Sequence, residues 1–282
     1  MKMINHINNF QFNENNFLKF IIDSKDIGWI HRDNIIYLKE YVNVFTIKES
    51  SVVLNSELNT FKKRTEAVDY VMKKLYEVGI IKKWRDEPFD ISESFGQEVL
   101  MAVDRGASLF LGIQAYGVFL NGYCYKNNKL HLWVAKRAST KKTYPGSFDN
   151  IVAGGLTGGG YTPKEILIKE AKEEAGMSIE LSNDAQAVGI ISYIKEDNNK
   201  SAENAVMFNY DLLLPEDFIP IANDGEVDYF ELWDIEKVKT VISSSFDFKD
   251  NSNLVIIDFL VRHGILDFQD ENFIDIIQGL RK

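Results

Sequence analysis

The run Gly154-Gly155-Leu156-Thr157-Gly158-Gly159-Gly160-Tyr161-Thr162-Pro163-Lys164-Glu165-Ile166-Leu167-Ile168-Lys169-Glu170-Ala171-Lys172-Glu173-Glu174-Ala175-Gly176-Met177 decides how this chain is read. A glycine-rich loop leads into a segment with helix grammar. Thr162 is a good N-cap, Pro163 suits the first helical position, and Glu165 stands where a capping box needs its acid. Gly176 fits the left-handed residue past the helix end. Leu167, Ile168, Ala171 and Ala175 form a face that can pack on a sheet, while Lys164, Glu165, Lys169 and Lys172 point mainly to solvent. At about 100° per residue, Glu170, Glu173 and Glu174 share one side of the helix. Three carboxylates so close repel one another and do little for a helix. They make sense around a hard divalent cation, which prefers oxygen ligands and also grips phosphates. A solvated helix with Glu/Lys pairs is the bland reading, and the flanking glycines count against it.

The segment resembles the Nudix box, G-x5-E-x7-R-E-U-x-E-E-x-G-U with U a bulky apolar residue. Gly155, Glu170, Glu173, Glu174, Gly176 and Met177 match position for position. Tyr161 stands in the first Glu position, Lys169 in the Arg position, and Ala171 is small for its slot. In that family the later glutamates are the core metal ligands and the Arg orients one of them through a fork-shaped contact. Lys keeps the charge without the fork. The resemblance implies an α/β/α sandwich with a mixed sheet and Mg²⁺, or Mn²⁺ in its place, held by Glu170, Glu173, Glu174 and the Gly155 carbonyl.

The rest of the chain fits that frame. Its 282 residues suffice for one large or two modest domains, and 45% hydrophobic with 26% charged residues is ordinary for a soluble globular protein. A net charge of -10 argues against nucleic acid as the main partner. Cys124 is the only cysteine, so no internal disulfide forms, and a reducing cytoplasm is expected. The first residues lack an apolar signal core, and no apolar run reaches the length that spans a bilayer. A homodimer is an allowed assembly.

Residues 1–100 read as a small α+β domain and residues 101–282 as an α/β domain with C-terminal helices. In the first, strands are expected near Phe17–Ile22, Val42–Ile47 and Val52–Leu54. A helix is expected over Ile35–Tyr41 and a clearer one over Arg64–Val78, stopped by Gly79. In the second, Ala115–Tyr125 and Leu130–Ala135 make a hairpin around Lys126-Asn127-Asn128, and Ala187–Ile194 and Ala205–Leu213 make another. Phe230–Trp233 is a strand, and Ile235–Ile242, Asn253–Arg262 and Phe273–Leu280 are helices.

Three further stretches carry candidate chemistry. Lys136-Arg137 and Lys141-Lys142 follow a strand, and Arg137 and Lys141 suit a diphosphate clamp. Asp224-Gly225-Glu226-Val227-Asp228 enters a strand, where a period of two would set three carboxylates on one face. Of these Glu226 is the candidate extra ligand or base. His131, His263 and Cys124 read as structural. Trp84 and nearby aromatics could stack on a heteroaromatic ring, although a core Trp fits as well.

The resemblance also extends beyond the box. Trp84-Arg85-Asp86-Glu87, Tyr116-Gly117-Val118, Asn121-Gly122-Tyr123, Trp133-Val134-Ala135-Lys136-Arg137, Tyr144-Pro145-Gly146, Asp149 to Gly155, Asp224 to Val227 and Asp258 to Gly264 run in order. The set is similar to a Nudix subfamily that carries an N-terminal DUF4743 domain, and Tyr161 and Lys169 resemble that subfamily too. It implies hydrolysis of a small-molecule diphosphate, thiamine diphosphate or its oxidised, damaged analogues, to the monophosphate. In that scheme Glu170 acts with the metal, and Glu173 or Glu226 takes a proton. Three rivals remain. One is a Nudix hydrolase of another nucleoside diphosphate derivative. Another is a double-bond isomerase, disfavoured because Ile151, Val152 and Ala153 stand where its cysteine would be. The last is a non-catalytic scaffold, disfavoured by the retained glutamates.

Overall fold

A computed structural model describes residues 3–156 and 158–281; Thr157 of the glycine run lies outside the described residues. A short helix α1 (Ile4–Asn8) precedes a four-stranded sheet of β1 (Phe17–Ile22), β2 (Lys25–His31), β3 (Phe45–Ile47) and β4 (Ser51–Leu54), in the order β2-β1-β4-β3. Between β2 and β3 the chain makes a 3-10 helix over Arg32–Tyr37, not the α-helix expected at Ile35–Tyr41. The poor caps of that stretch explain the shortfall. Helix α2 (Phe61–Glu77) is capped by Thr60 and ends before Gly79, whose φ is 78°. Val68, Val71, Met72 and Leu75 of α2 pack with Phe20, Ile22, Val52 and Leu54 of the sheet. A hairpin of β5 (Pro88–Ile91) and β6 (Met101–Asp104) follows, which the sequence reading did not anticipate.

The larger sheet contains β7 (Gln114–Lys126), β8 (Lys129–Arg137), β9 (Phe148–Asn150), β10 (Val152–Gly155), β11 (Gln186–Glu196), β12 (Ala202–Leu213) and β13 (Val227–Asp234). Its main order is β11-β12-β7-β8-β13, with β10 on β7 and β9 on β8. Only the β12–β7 pairing is parallel, so the sheet is mixed as expected. Asn127 and Asn128 turn the β7–β8 hairpin with φ of 51° and 61°, the conformation a two-residue hairpin turn requires.

Helices cover both faces. On one, α3 (Pro163–Ala175), followed by α4 (Ile179–Asn183), sets Ile166, Leu167, Ala171 and Ala175 against Val118, Leu120, Ile151, Val152 and Leu212. On the other, α5 (Ile235–Ser244) and α6 (Asp250–Arg262) pack on Phe119, Leu132, Val134 and Met207. The last helix is α7 (Phe273–Gly279). This α/β/α arrangement is the fold class expected from the sequence. Residues alternate between the two cores along each strand, as Leu132, Trp133 and Val134 do on β8.

The two halves interlock. Met101, Val103, Phe110, Leu111 and Ile113, all beyond residue 100, pack in the core of the first sheet. In return Met3, Ile7 and Phe10 pack in the core of the second. The Trp29 N–H donates to the Leu111 carbonyl at 3.0 Å. Gly28 and Gly112 face this crossing, where a Cβ on either would overlap backbone. Among the described residues no helix is long and apolar enough to cross a membrane.

Candidate active site

Helix α3 forms as its sequence dictates. The Thr162 hydroxyl accepts from the Glu165 N–H, and the Glu165 carboxylate accepts from the Thr162 N–H, completing the capping box. Such a cap contributes about 1 kcal/mol. Gly176 closes the helix with φ of 65°. The apolar face differs from expectation by one position, since Ile166 is buried and Ile168 only half-buried.

Two of the three glutamates meet strand β10, and each of the three has a different environment. Glu174 is buried, at 8% exposure, and its Oε2 accepts from the Ala153 N–H at 3.0 Å. Burial, with Asp149, Glu170 and Asp224 nearby, pushes its pKa up to about 8 despite that hydrogen bond. Glu170 lies across Gly154, where an added Cβ would come within 2.8 Å of its Cδ. Burial raises its pKa as well, against the opposing pull of Lys169. Glu173 is exposed, and Lys169 binds it at 2.9 Å while also reaching Glu170 at 3.4 Å. Lys169 thus sets two carboxylates with one ammonium, a point charge doing what a forked guanidinium would do with directed bonds.

A second group of acids arrives from the loop before β13. Glu174, Asp224 and Glu226 each offer a carboxylate oxygen, and these oxygens lie within 4.8 Å of one another. Asp224 is the ligand candidate that the sequence reading passed over in favour of Glu226. The expectation of three carboxylates on one strand face fails because β13 starts only at Val227 and its register slips between Val227 and Tyr229. Instead the Asp224 Oδ1 accepts from the Glu226 N–H at 2.8 Å, and Gly225 turns with φ of 75°. That short turn, an Asp bonding its own backbone two residues on, turns both acids towards Glu174. The Asp-Gly pair was its visible signal.

The donor set is all oxygen and densely negative, which fits a hard divalent cation of the Mg²⁺ or Mn²⁺ type. Lys141 meets only Glu226 of the three acids, and a buried carboxylate needs a compensating charge, which a cation among the three oxygens would supply. The Gly155 carbonyl is suitably turned. Gly154 O faces Gly117, and the Leu156 N–H donates to Tyr116 O at 2.9 Å. Alternation along the strand then directs the polar groups of Ala153 and Gly155 to the opposite edge, where Glu174 already binds.

The cations separate. Lys141 binds Glu226 at 2.6 Å and so stands at the rim of the acidic group. Arg137 is spent internally: Nη1 donates to Asp149 at 2.8 Å, Nη2 to Thr143 O at 3.1 Å and Nε to Tyr144 O at 3.2 Å. Asp149 is buried, and although burial pushes its pKa up, Lys249 and Arg137 together hold it below the ordinary value. Trp84 sits in the first half of the chain, 5.6 Å from the Tyr76 ring and donating to Asp86 at 3.0 Å. Cys124 is buried in β7 and His263 bonds Asp211 at 3.1 Å, both as structural residues.

The chain is similar in sequence to known proteins. The model of the "NUDIX domain" matches residues 122–250, and that of the "Domain of unknown function (DUF4743)" matches residues 1–115. Nudix hydrolase 24, chloroplastic, of Arabidopsis thaliana is 39% identical over 267 residues, covering 94% of this chain and 73% of its own. Nudix hydrolase 20, chloroplastic, of the same plant is 39% identical over 274 residues with the same coverage. An uncharacterized protein of Saccharomyces cerevisiae is 33% identical over 259 residues, 86% of this chain and 75% of that one. Among solved structures, the NUDIX domain of Shewanella oneidensis NrtR complexed with ADP ribose aligns with a TM-score of 0.41 at 10% identity. That alignment covers 54% of this chain and 89% of the other.

Proposed function

Since this chain belongs to the Nudix hydrolase family and is a hydrolase of pyrophosphate bonds, we propose that its substrate is thiamine diphosphate or an oxidised analogue. The product is then the monophosphate, and the reaction depends on Mg²⁺ or Mn²⁺. The observation that carries the metal part is the meeting of Glu174, Asp224 and Glu226 within 4.8 Å beside Glu170 and Gly155. The thiamine part rests on the resemblance of the paired domains, with the first matching DUF4743 over residues 1–115.

Glu170, Glu173, Glu174, Asp224, Glu226 and the Gly155 carbonyl would hold the cation. When bound, it neutralises the diphosphate and lowers the pKa of an attacking water. Glu226, exposed at the rim, would take the proton of that water, with Glu173 second in line. Lys141, beside Glu226, supplies positive charge to the diphosphate. Arg137 holds the 143–149 segment in shape and so positions Lys141 indirectly. Trp84 contributes to the wall of the first domain. The lone buried thiol of Cys124 suits a reducing compartment such as the cytoplasm.

A screen of hydrolysis of thiamine diphosphate, its oxidised analogues, ADP-ribose and nucleotide sugars, read by chromatography of the monophosphate products with Mg²⁺ and with chelator, tests this reading. Thiamine compounds are expected to give the highest kcat/KM. If they rank last, the thiamine assignment falls, and turnover that survives chelation removes the metal.

A further inference from the structure

The run Trp84-Arg85-Asp86-Glu87 stands out in the sequence yet has no part in the chemistry above. In the fold it is wound against Asp104-Arg105-Gly106. The Arg105 N–H donates to Glu87 O at 2.8 Å, and the Asp104 carboxylate accepts from the Arg85 N–H at 3.1 Å and the Gly106 N–H at 2.7 Å. Gly106 approaches Lys83 so closely that a Cβ would overlap the Lys83 carbonyl. The Glu87 carboxylate then takes Arg105 Nη1 at 3.1 Å. Two strand ends braced this tightly aim one side chain.

That side chain reaches the glycine loop of the other domain. Arg105 Nη2 occupies the space a Cβ on Gly155 would fill. Asp90 grips the same loop further on, accepting from the Gly159 N–H at 3.3 Å, with its carboxylate where a Cβ on Gly158 would come within 2.9 Å. Along β10 the order is therefore Glu174 at Ala153, Glu170 at Gly154 and Arg105 at Gly155. At a strand rise of about 3.3 Å per residue, Arg105 stands about 7 Å along the strand from the Glu174 anchor. The guanidinium keeps 32% of its side-chain surface exposed, and only Nη1 is committed to Glu87.

We propose that Arg105, carried by the first domain and aimed by Glu87, is an anion subsite for the diphosphate of the substrate. The forked guanidinium suits phosphate oxygens, and it stands at Gly155, one strand residue beyond the Glu170 contact at Gly154 and two beyond the Glu174 anchor at Ala153. The first domain is then part of the active site. Gly155 is glycine for two reasons at once, to leave room for Arg105 and to present its carbonyl.

This inference rests on the metal-site reading, and the experiment separates the two. KM and kcat for thiamine diphosphate and the Kd of inorganic diphosphate with Mg²⁺ are measured for wild type, Arg105→Ala, Arg105→Lys, Glu87→Gln and Glu174→Gln, each with its Tm. Arg105→Ala is expected to raise KM and the diphosphate Kd by roughly tenfold, the scale of one charge-assisted hydrogen bond, while kcat falls much less. Arg105→Lys recovers part of that loss. Glu87→Gln gives a smaller rise, and a Glu87→Gln, Arg105→Ala double variant, measured alongside, is no worse than Arg105→Ala alone. Equal diphosphate binding by wild type and Arg105→Ala, none included, overturns the subsite. So does a loss in Arg105→Ala that Glu87→Gln reproduces in full together with a fallen Tm, because the ion pair then only docks the domains. An active Glu174→Gln sinks the metal reading, whereas an inactive Glu174→Gln beside an unaffected Arg105→Ala sinks only the subsite.

Discussion

Replacing Glu174 by Gln should make the metal-free protein more stable while removing its activity. The side chain is buried on the Ala153 N–H, and its pKa is pushed up to about 8 from an ordinary 4.5. The sign follows from where the proton sits. The folded chain holds the proton up to about pH 8, whereas the unfolded chain releases it above about 4.5, so stability is full below 4.5 and is lost as pH rises towards 8. Neutral pH lies about 2.5 units above the unfolded value, and at about 1.4 kcal/mol per unit the buried carboxyl costs on the order of 3 kcal/mol. Gln is close in shape, stays neutral, and can still accept from Ala153 N–H. Denaturant titration of the chelated proteins from pH 5 to 8.5 reads the difference. The variant should gain little at pH 5 and on the order of 4 kcal/mol by pH 8, with the gap widening by about 1.4 kcal/mol per unit between the two pKa values. Added Mg²⁺ should stabilise the wild type, increasingly with pH because binding displaces the proton, and should leave the variant unmoved. A variant that is less stable than wild type at pH 8, or a gap that does not change with pH, refutes the burial argument.

Other substitutions separate ligands from scaffolding. Asp224→Asn and Glu226→Gln, both at exposed positions, should each weaken Mg²⁺ binding by roughly tenfold or more, the scale of a lost ligand contact, and leave Tm within a few degrees. Calorimetric titration with Mg²⁺ checks this, and unchanged affinity in both removes the loop from the site. Arg137→Ala strips the buried Asp149 of a partner held at 2.8 Å and should cost about 3–5 kcal/mol by denaturant melt. Because its partners hold the Asp149 pKa low, that loss should be largest above the ordinary carboxylate range and shrink as pH falls through it. Gly154→Ala would set a methyl against Glu170 and should lower kcat/KM far more than Tm, in a paired kinetic and melting comparison.

Much of helix α3 was legible in the chain itself. Caps act over three or four residues, so Thr162, Glu165 and Gly176 announced α3 without tertiary help. The hairpins followed from alternation and from Asn127-Asn128, whereas the mixed sheet was what the family resemblance implied. Arg137 shows where such reading stops. Its type and its place after a strand suited a phosphate clamp, but Asp149, twelve residues on and buried, claims the guanidinium. Nothing local distinguishes a free Arg from one committed across a sheet.

What the sequence by itself determined is the composition of the site: a glycine loop, three glutamates on one helical face and an acidic turn downstream. Local geometry fixes these, because helix period and turn chemistry act within a few residues. Only the tertiary structure decided which carboxylates meet. Burial on β10 sets Glu174 apart from Glu173, although the two are neighbours in sequence. The bulge in β13 and the turn at Gly225 bring in Asp224. The packing of the β5–β6 hairpin sets Arg105 on Gly155, fifty residues away, a distance no sequence period can encode.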